Sequence, residues 1–220
     1  MAEQYFAAEP ASRDVRRTLH VTLRGTEAQV QVSNGVFSGS RVDLGTSVLL
    51  RHAPEPPREG ALLDLGCGWG PIALSLAFGA PEAEVWAVDV NERALELTIA
   101  NAKTNGCDNV HVAQTDADGV PLSDQPASDV LPCEQLPDDL RFDAIWSNPP
   151  IRIGKEALHT LLMTWLPRLK RGGAAYLVVQ RNLGADSLIP WLADALGDGY
   201  EVGKYASSKG FRIIEVLRNN

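Results

Sequence analysis

A glycine-rich turn between an apolar run and a helical pattern narrows the folds open to this chain. Residues 64–70 read Asp-Leu-Gly-Cys-Gly-Trp-Gly, after the apolar residues 61–63 and before a stretch that begins with Pro71. Proline is favoured at the first position of a helix, so this region reads as a buried strand, a tight turn and a helix. Because glycine has no Cβ atom, a ligand can lie against the bare backbone of such a turn. The sequence therefore predicts a ligand site in an α/β protein.

The spacing of the glycines distinguishes between two kinds of cofactor site. A dinucleotide fingerprint needs a third small residue three positions after the second glycine, and Pro71 stands there instead. The observed spacing, Asp-x-Gly-x-Gly-x-Gly, resembles motif I of the class I S-adenosylmethionine (SAM) methyltransferases. The resemblance implies that the turn holds the methionine end of SAM and that the acid helps to fix the turn and the ligand's amino group. The cofactor residues that it implies are Asp64, Gly66, Cys67, Gly68 and Gly70.

Composition and cysteine usage suit one globular domain in a reducing compartment. The chain has 220 residues, of which 45% are hydrophobic and 22% are charged. It shows no signal peptide and no apolar run long enough to span a bilayer, so we expect a cytoplasmic protein without membrane contact. Cys67, Cys107 and Cys133 are widely spaced and form no Cys-x-x-Cys pair, so we expect no metal. The sequence does not predict the oligomeric state, which could be a monomer or a dimer.

Charge is distributed unevenly along the chain. The net charge is −8, which argues mildly against a nucleic-acid partner. However, residues 140–220 carry eleven Lys or Arg and seven Asp or Glu, whereas residues 61–139 carry two and fourteen. A local basic face in the last third of the chain can therefore still meet phosphate.

The first part of the chain has a different pattern from the rest. Residues 17–23 and 28–32 alternate polar and apolar side chains around Gly25, which predicts a β-hairpin. A helix is expected to begin near Asp43. This extension is too small for a core of its own, so we expect it to pack on the catalytic domain. The predicted division is 1–58 for the extension and 59–220 for the catalytic domain.

From residue 61 the chain alternates strands and helices, which is the pattern of a parallel sheet covered on both faces. The final third predicts a helix at about 155–169, closed by Gly172 and Gly173, then a strand at 174–179 and a closing hairpin. The fold class predicted is α/β and Rossmann-like, of the class I methyltransferase type, with a seven-stranded mostly parallel sheet, a C-terminal antiparallel hairpin and a small N-terminal β extension. The acidic, proline-rich residues 117–139 are expected to form a solvated, mobile insertion.

Acidic residues follow three successive predicted strands. Ligands of open α/β sheets bind beyond the carboxyl ends of the strands, where Asp64, Asp89 and Asp116 are expected to lie in register. In the family that the glycine turn resembles, the second acid accepts from the ribose hydroxyls and the third from the adenine amino group. The resemblance thus adds Asp89, Val90, Asp116 and Ala117 to the cofactor site.

The fourth strand ends in Asn148, Pro149, Pro150 and Ile151, which resemble motif IV of methyltransferases acting on nitrogen conjugated to a planar system. An exocyclic amine donates its lone pair into the ring and is a poor nucleophile. Acceptors on its two N–H groups favour a tetrahedral nitrogen, and the Asn148 side-chain oxygen and the Pro149 carbonyl can supply them. The prolines stiffen the loop in advance. Asn148 is also expected to touch the cofactor.

Two longer stretches narrow the resemblance to the small-domain (MTS) methyltransferases related to the 16S rRNA guanine-N2 enzyme. These are residues 148–156, and residues 35–38 together with 43–46. Position 151 is isoleucine, whereas an aromatic residue usually follows the two prolines. In relatives the stretch from Phe37 to Thr46 lies over the cofactor and substrate pocket. The expected substrate contacts are Phe37, Thr46, Arg152 and Lys155.

These features predict a SAM-dependent N-methyltransferase whose substrate is RNA, most simply guanine N2 of ribosomal RNA. Three alternatives stay open. The enzyme could act on adenine N6 of RNA, it could methylate an amide nitrogen such as a protein glutamine side chain, or the chain could be a SAM-binding module without catalysis. The intact Asn-Pro-Pro sequence counts against the last of these.

Overall fold

The computed structural model describes residues 13–122 and 133–220. The central part of the predicted acidic insertion, residues 123–132, lies outside the described residues. Most residues of its two described ends are exposed, although each end also contacts the rest of the protein. Leu136 is buried, and the Gly119 carbonyl accepts a hydrogen bond from the Trp165 indole nitrogen at 2.8 Å.

The chain opens with an antiparallel hairpin of strands β1 (Arg16–Leu23) and β2 (Thr26–Ser33). The turn residues Arg24 and Gly25 both have positive φ, which suits a two-residue hairpin turn. Helix α1 (Leu44–His52) follows, and its N-terminus is capped by Asp43. The predicted hairpin and helix start are therefore confirmed.

A seven-stranded sheet forms the centre of the molecule, with the strand order β5-β4-β3-β6-β7-β9-β8. Strands β3 to β7 run parallel to one another, whereas β9 is antiparallel to both β7 and β8. This arrangement confirms the predicted fold class. The elements in chain order are β3 (Ala61–Leu65), α2 (Pro71–Gly79), β4 (Glu84–Asp89), α3 (Glu92–Thr104), β5 (Val110–Gln114), β6 (Phe142–Ser147), α4 (Lys155–Trp165), β7 (Leu169–Gln180), α5 (Ala185–Leu196), β8 (Tyr200–Ser208) and β9 (Phe211–Arg218).

The central strands bury both faces. Successive side chains of a strand point to opposite sides, so Leu62 and Trp146 pack in one core while Leu63 and Ile145 pack in the other. The first core also includes the N-terminal hairpin and helices α1 to α3, and the second includes α4 and α5. Near-continuous apolar strands of this kind need helices on both faces.

The N-terminal hairpin shares the first core and is tied to α3. The Asn101 side chain bonds both the N–H and the carbonyl of Gln31, and the Asn105 side chain does the same with Gln29. These contacts agree with packing of the extension on the sheet domain, and the boundary at residue 58 stays a prediction.

One predicted boundary is wrong. Helix α4 was expected to run to Leu169 and to close at Gly172 and Gly173, but it ends at Trp165 and a short 3₁₀ turn leads directly into β7. Pro167 has no backbone N–H, so an α-helix does not continue through it. Both glycines lie inside β7. A Cβ at position 173 would come within 3.1 Å of the carbonyl oxygens of Phe142 and Asp143 in β6 and of Lys170 in β7.

No helix in the described ranges is long and apolar enough to cross a membrane. Within residues 13–122 and 133–220, no three metal-ligating side chains come together in a possible metal site.

Candidate active site

A cleft of about 350 Å³ lies at the carboxyl ends of the parallel strands. It brings together most of the residues predicted for cofactor and substrate. Those that line it are Phe37, Gly66, Gly68, Asp89, Val90, Asp116, Ala117, Asn148, Pro149, Pro150, Ile151 and Arg152. Five predicted residues do not line it, namely Thr46, Asp64, Cys67, Gly70 and Lys155. The ligand contacts of all these residues, inside and outside the cleft, stay predictions.

Backbone hydrogen bonds shape the glycine turn at the floor of the cleft. The N–H groups of Gly66 and Cys67 both donate to the Val88 carbonyl, at 2.9 and 3.0 Å. Gly66 and Gly68 have φ of 78° and 58°, a region that side chains disfavour. Among the described residues, no heavy atom outside the two chain neighbours lies within 4 Å of a Cβ built on Gly66. The turn therefore leaves open space beside bare backbone, as a ligand cradle requires.

Asp89 joins the glycine turn to the end of β4. Its carboxylate accepts from the Gly68 N–H at 2.9 Å and from the Asn91 N–H at 3.0 Å. Burial raises the pKa of Asp89, although hydrogen bonds from Asn91, Gly68 and Val90 act in the opposite direction. The side chain still lines the cleft and is only partly buried. A carboxylate in this position can accept further hydrogen bonds from hydroxyl groups of a ligand.

Asp64 lies behind the turn and is fully buried. Its Oδ2 accepts from the Ala73 N–H in the first turn of α2 at 2.9 Å, whereas Oδ1 has no partner among the described residues. Burial raises the pKa of Asp64 to about 8, and the nearby Asp89 carboxylate adds to the shift. The unpaired Oδ1 is a buried polar atom, and burying it costs less in the protonated carboxyl than in a carboxylate.

Gly70 and Cys67 serve the packing of the turn against α3. Gly70 has φ of 89°, and a Cβ there would lie 3.1 Å from the Thr98 side chain. The Thr98 hydroxyl lies 3.4 Å from the Cys67 sulfur. Burial raises the pKa of Cys67 well above its usual value, which leaves a protonated, unreactive thiol.

Asp116 organises the loop after β5. Its Oδ1 accepts from the N–H groups of Asp118 and Val120, at 2.9 and 2.8 Å. These bonds hold the adjoining Ala117 at the cleft wall, where its backbone was predicted to meet the adenine edge. The adenine contacts themselves stay predictions.

The side chain of Asn148 bonds to the start of helix α1. Its Nδ2 lies 2.9 Å from Asp43 Oδ2 and 3.1 Å from Thr46 Oγ1. The Pro149 carbonyl accepts from the Ile151 N–H at 2.8 Å. Because a carbonyl oxygen has two lone pairs, Pro149 can accept a second hydrogen bond from a ligand.

The predicted substrate residues fall into two groups. Phe37, with 43% of its surface exposed, and the exposed Arg152 lie at the cleft. Thr46 is buried with 4% of its surface exposed, beneath Asn148, and Lys155 lies outside the cleft at the first residue of α4. Thr46 therefore contacts Asn148, which lines the cleft, and does not line the cleft itself.

Sequence reasoning did not assign Asp43, Gln180 or Phe211 to the site, although all three line the cleft. The rule of polar residues at strand ends would have found Gln180, which closes β7. Asp43 was noted as the expected start of a helix and as a part of the stretch 43–46. Nothing in the sequence showed that Asp43 would contact a residue 105 positions away.

The comparisons with known proteins agree with this geometry. The family model described as methyltransferase small domain matches residues 27–215. The chain belongs to this family. It is a SAM-dependent methyltransferase, as the glycine turn and the Asn-Pro-Pro sequence predict. Uncharacterized protein YbxB of Bacillus subtilis (strain 168) is 35% identical over 99% of this chain and 100% of its own length.

Two further relatives have functional names. Ribosomal RNA small subunit methyltransferase C of Shewanella sediminis is 30% identical over 73% of this chain and 43% of its own length. The solved structure of the T. thermophilus 16S rRNA N2 methyltransferase RsmC, with AdoMet and guanosine, covers 96% of this chain and 52% of that chain, at 23% identity and a TM-score of 0.68. The chain thus spans about half the length of these relatives, and the structural likeness concerns the fold.

The residues of the cleft suit SAM. Three carboxylates line it, those of Asp43, Asp89 and Asp116, and Arg152 is the one cation among the described lining residues. This excess of negative charge favours a cofactor that carries two positive groups, a sulfonium and an ammonium. Bound SAM would supply an electrophilic methyl group.

Proposed function

We propose that this methyltransferase acts on the exocyclic amine of guanine, N2, in small-subunit ribosomal RNA. The observation that carries the proposal is that one cleft holds the strand-end acids Asp89 and Asp116 together with the Asn148–Pro149 pair of acceptors. The named relatives methylate small-subunit ribosomal RNA, and one of them is named for N2. Both lines of support point to the same reaction class.

Within the proposed site, the glycine turn and Asp89 bind the cofactor while the Asn148–Pro149 pair binds the target amine. A guanine N2 amine has two N–H groups, which match one acceptor each. Hydrogen bonds to both N–H groups localise the nitrogen lone pair and aim it along the direction of methyl transfer. Because the two prolines fix the loop before the substrate arrives, little reorganisation accompanies the reaction.

Charge and aromatic exposure at the rim of the cleft support an RNA substrate. Arg152 is exposed there, and it belongs to the basic segment 140–220. Phe37 exposes an aromatic face at the same opening. A base turned out of its strand is usually stacked on an aromatic side chain while basic residues contact the backbone.

The test uses ribosomal RNA and small subunits from a strain in which the gene for this chain is deleted. Purified protein and methyl-labelled SAM are incubated with these substrates, total DNA and total protein, and labelled RNA is digested to nucleosides. We expect label in N2-methylguanosine. Label in N6-methyladenosine or in glutamine would replace the proposed target with one of the alternatives. No transfer to any substrate, together with measurable SAM binding, would indicate a module without catalysis.

A further inference from the structure

We propose that Asp43 is a positioning residue that fixes the Asn148 carboxamide with its oxygen turned toward the cleft. The inference rests on the 2.9 Å contact between Asn148 Nδ2 and Asp43 Oδ2, and on the proposed function, in which the Asn148 oxygen accepts from the target amine. It adds a residue from the N-terminal extension to a reaction otherwise carried by the sheet.

The direction of the amide follows from what each partner can do. A carboxylate only accepts hydrogen bonds, so it requires the NH₂ group of Asn148 and excludes the oxygen. The hydroxyl of Thr46, at 3.1 Å, can donate or accept and would tolerate either orientation. Asp43 therefore decides the orientation. The Asn148 oxygen accepts no hydrogen bond within the described residues and is not among their buried unpaired atoms.

Asp43 is itself held firmly. The same Oδ2 atom accepts from the backbone N–H groups of Gly45 and Thr46, at 2.7 and 3.2 Å, and so caps helix α1. The space around this contact is small. A Cβ built on Gly45 would lie 2.9 Å from Asp43 Oδ2 and 3.3 Å from Asn148 Nδ2. The cap and the amide contact thus share one oxygen, and a glycine leaves room for both.

The contact has a chemical consequence beyond orientation. A charged acceptor on the NH₂ group polarises the carboxamide and makes its oxygen a better acceptor. We therefore expect Asp43 to affect turnover more than it affects the binding of SAM.

The central variant is Asp43→Ser. Serine caps helices as well as aspartate does, but its shorter side chain does not reach Asn148. We expect kcat to fall roughly 10-fold, the size expected for loss of one charge-assisted hydrogen bond, with little change in SAM affinity. Asp43→Asn keeps an acceptor of the same length and is expected to retain several-fold more activity than Asp43→Ser.

Two further variants separate this contact from helix stability. Ser47 donates to the Asp43 carbonyl in the first turn of α1, and the described hydrogen bonds of the Asn148 side chain go to Asp43 and Thr46, so Ser47→Ala controls for weakening of that turn. Gly45→Ala retains both polar side chains but disturbs their contact, and its Cβ would also lie 3.0 Å from Phe211 Cε1. It therefore tests the idea even if Asp43→Ser does not fold.

A direct measurement uses the side-chain NH₂ signals of Asn148 in nitrogen-15 NMR, assigned by their loss in Asn148→Ala. We expect these signals to shift in Asp43→Ser and Gly45→Ala, but not in Ser47→Ala. If Asn148→Ala loses activity while Asp43→Ser and Gly45→Ala turn over like Ser47→Ala, the positioning role is wrong and the proposed function stands. If Asn148→Ala itself keeps full activity, the acceptor role in the proposed function is wrong.

Discussion

The Gly68 backbone N–H donates a hydrogen bond to the Asp89 carboxylate across 2.9 Å. This bond joins the turn after β3 to the end of β4, two neighbouring parallel strands. Asp89 thereby has a structural task, which is to hold the glycine turn, in addition to its proposed task of binding the ribose hydroxyls. Its removal should affect both.

Asp89→Ala is predicted to weaken SAM binding by about 1.5–3 kcal/mol, because it removes a charged acceptor from buried hydrogen bonds. Calorimetry with SAM, its demethylated product and NAD measures the effect. Glu84→Ala is the matched control, since Glu84 is an exposed acid at the opposite end of the same strand. Tight binding of NAD without a SAM signal would contradict the cofactor assignment.

Asp64 is predicted to make the stability of the free protein depend on pH. Its pKa is about 8 in the folded chain, against 3.8 as its ordinary value, so the folded state holds a proton that the unfolded state releases. Stability must then fall as pH rises from about 4 to 8, and the full contribution is present only below pH 4. The asparagine variant cannot lose that proton, so Asp64→Asn should show a flatter profile.

Chemical denaturation of both proteins at a series of pH values tests this expectation. The difference in unfolding free energy, wild type minus Asp64→Asn, should decrease by a few kcal/mol across the window. Asp89 is present in both proteins, so its own titration largely cancels. A constant difference would show that Asp64 is ionised in the folded protein throughout.

The fold was predictable because local patterns and the sheet agree. The apolar run before the glycine turn, and the acids at or near the strand ends, mark β3, β4 and β5 without knowledge of their partners. The boundary near Trp165 was not predictable in the same way. Gly172 and Gly173 are a local stop signal, yet the pairing of Phe142 with Leu169 extends β7 through them. Sheet pairing decided the conformation there, and it depends on residues far apart in sequence.

The same distinction applies to the candidate site. The residues at the strand ends could be found because ligands of open α/β sheets bind beyond the carboxyl ends of the strands. The contact of Asn148 with Asp43 was not found, because it depends on how α1 is placed over the sheet. That placement follows from packing of the whole N-terminal extension.

Asn148→Ala is predicted to lower turnover by roughly 10²–10³, the effect of removing one preorganised hydrogen-bond partner. SAM affinity should remain largely intact, and it must be measured separately because Asn148 lines the cofactor cleft. Single-turnover methyl transfer together with calorimetry gives both values. Turnover at the wild-type rate would exclude this loop as the catalytic centre.

Phe37→Ala is predicted to raise the KM for RNA, because an exposed aromatic face at the cleft is available to stack on the target base. Stacking of one base contributes roughly 1–3 kcal/mol. Phe37→Tyr should restore most of the affinity. Tyr205 is the control, since 42% of its surface is exposed, similar to the 43% of Phe37, and it lies outside the cleft. Equal KM values for Phe37→Ala and Tyr205→Ala would exclude stacking.

The double variant Arg152→Glu with Lys155→Glu is predicted to weaken RNA binding and to leave SAM affinity nearly unchanged. Both side chains are exposed at and beside the cleft, and each phosphate that a protein neutralises steepens the fall of affinity with salt. The variant should therefore show lower RNA affinity and a shallower salt slope.

Arg58→Glu with Lys103→Glu makes the same charge change at exposed positions away from the cleft, before β3 and at the end of α3. Methyl transfer to RNA is measured for both double variants and the wild type across a series of salt concentrations. The control should follow the wild type if contact with phosphate is local to the cleft. If both variants lose activity equally, the effect is one of overall charge. If neither does, Arg152 and Lys155 are solvated residues at the start of α4, and a protein or small-molecule substrate becomes the better explanation.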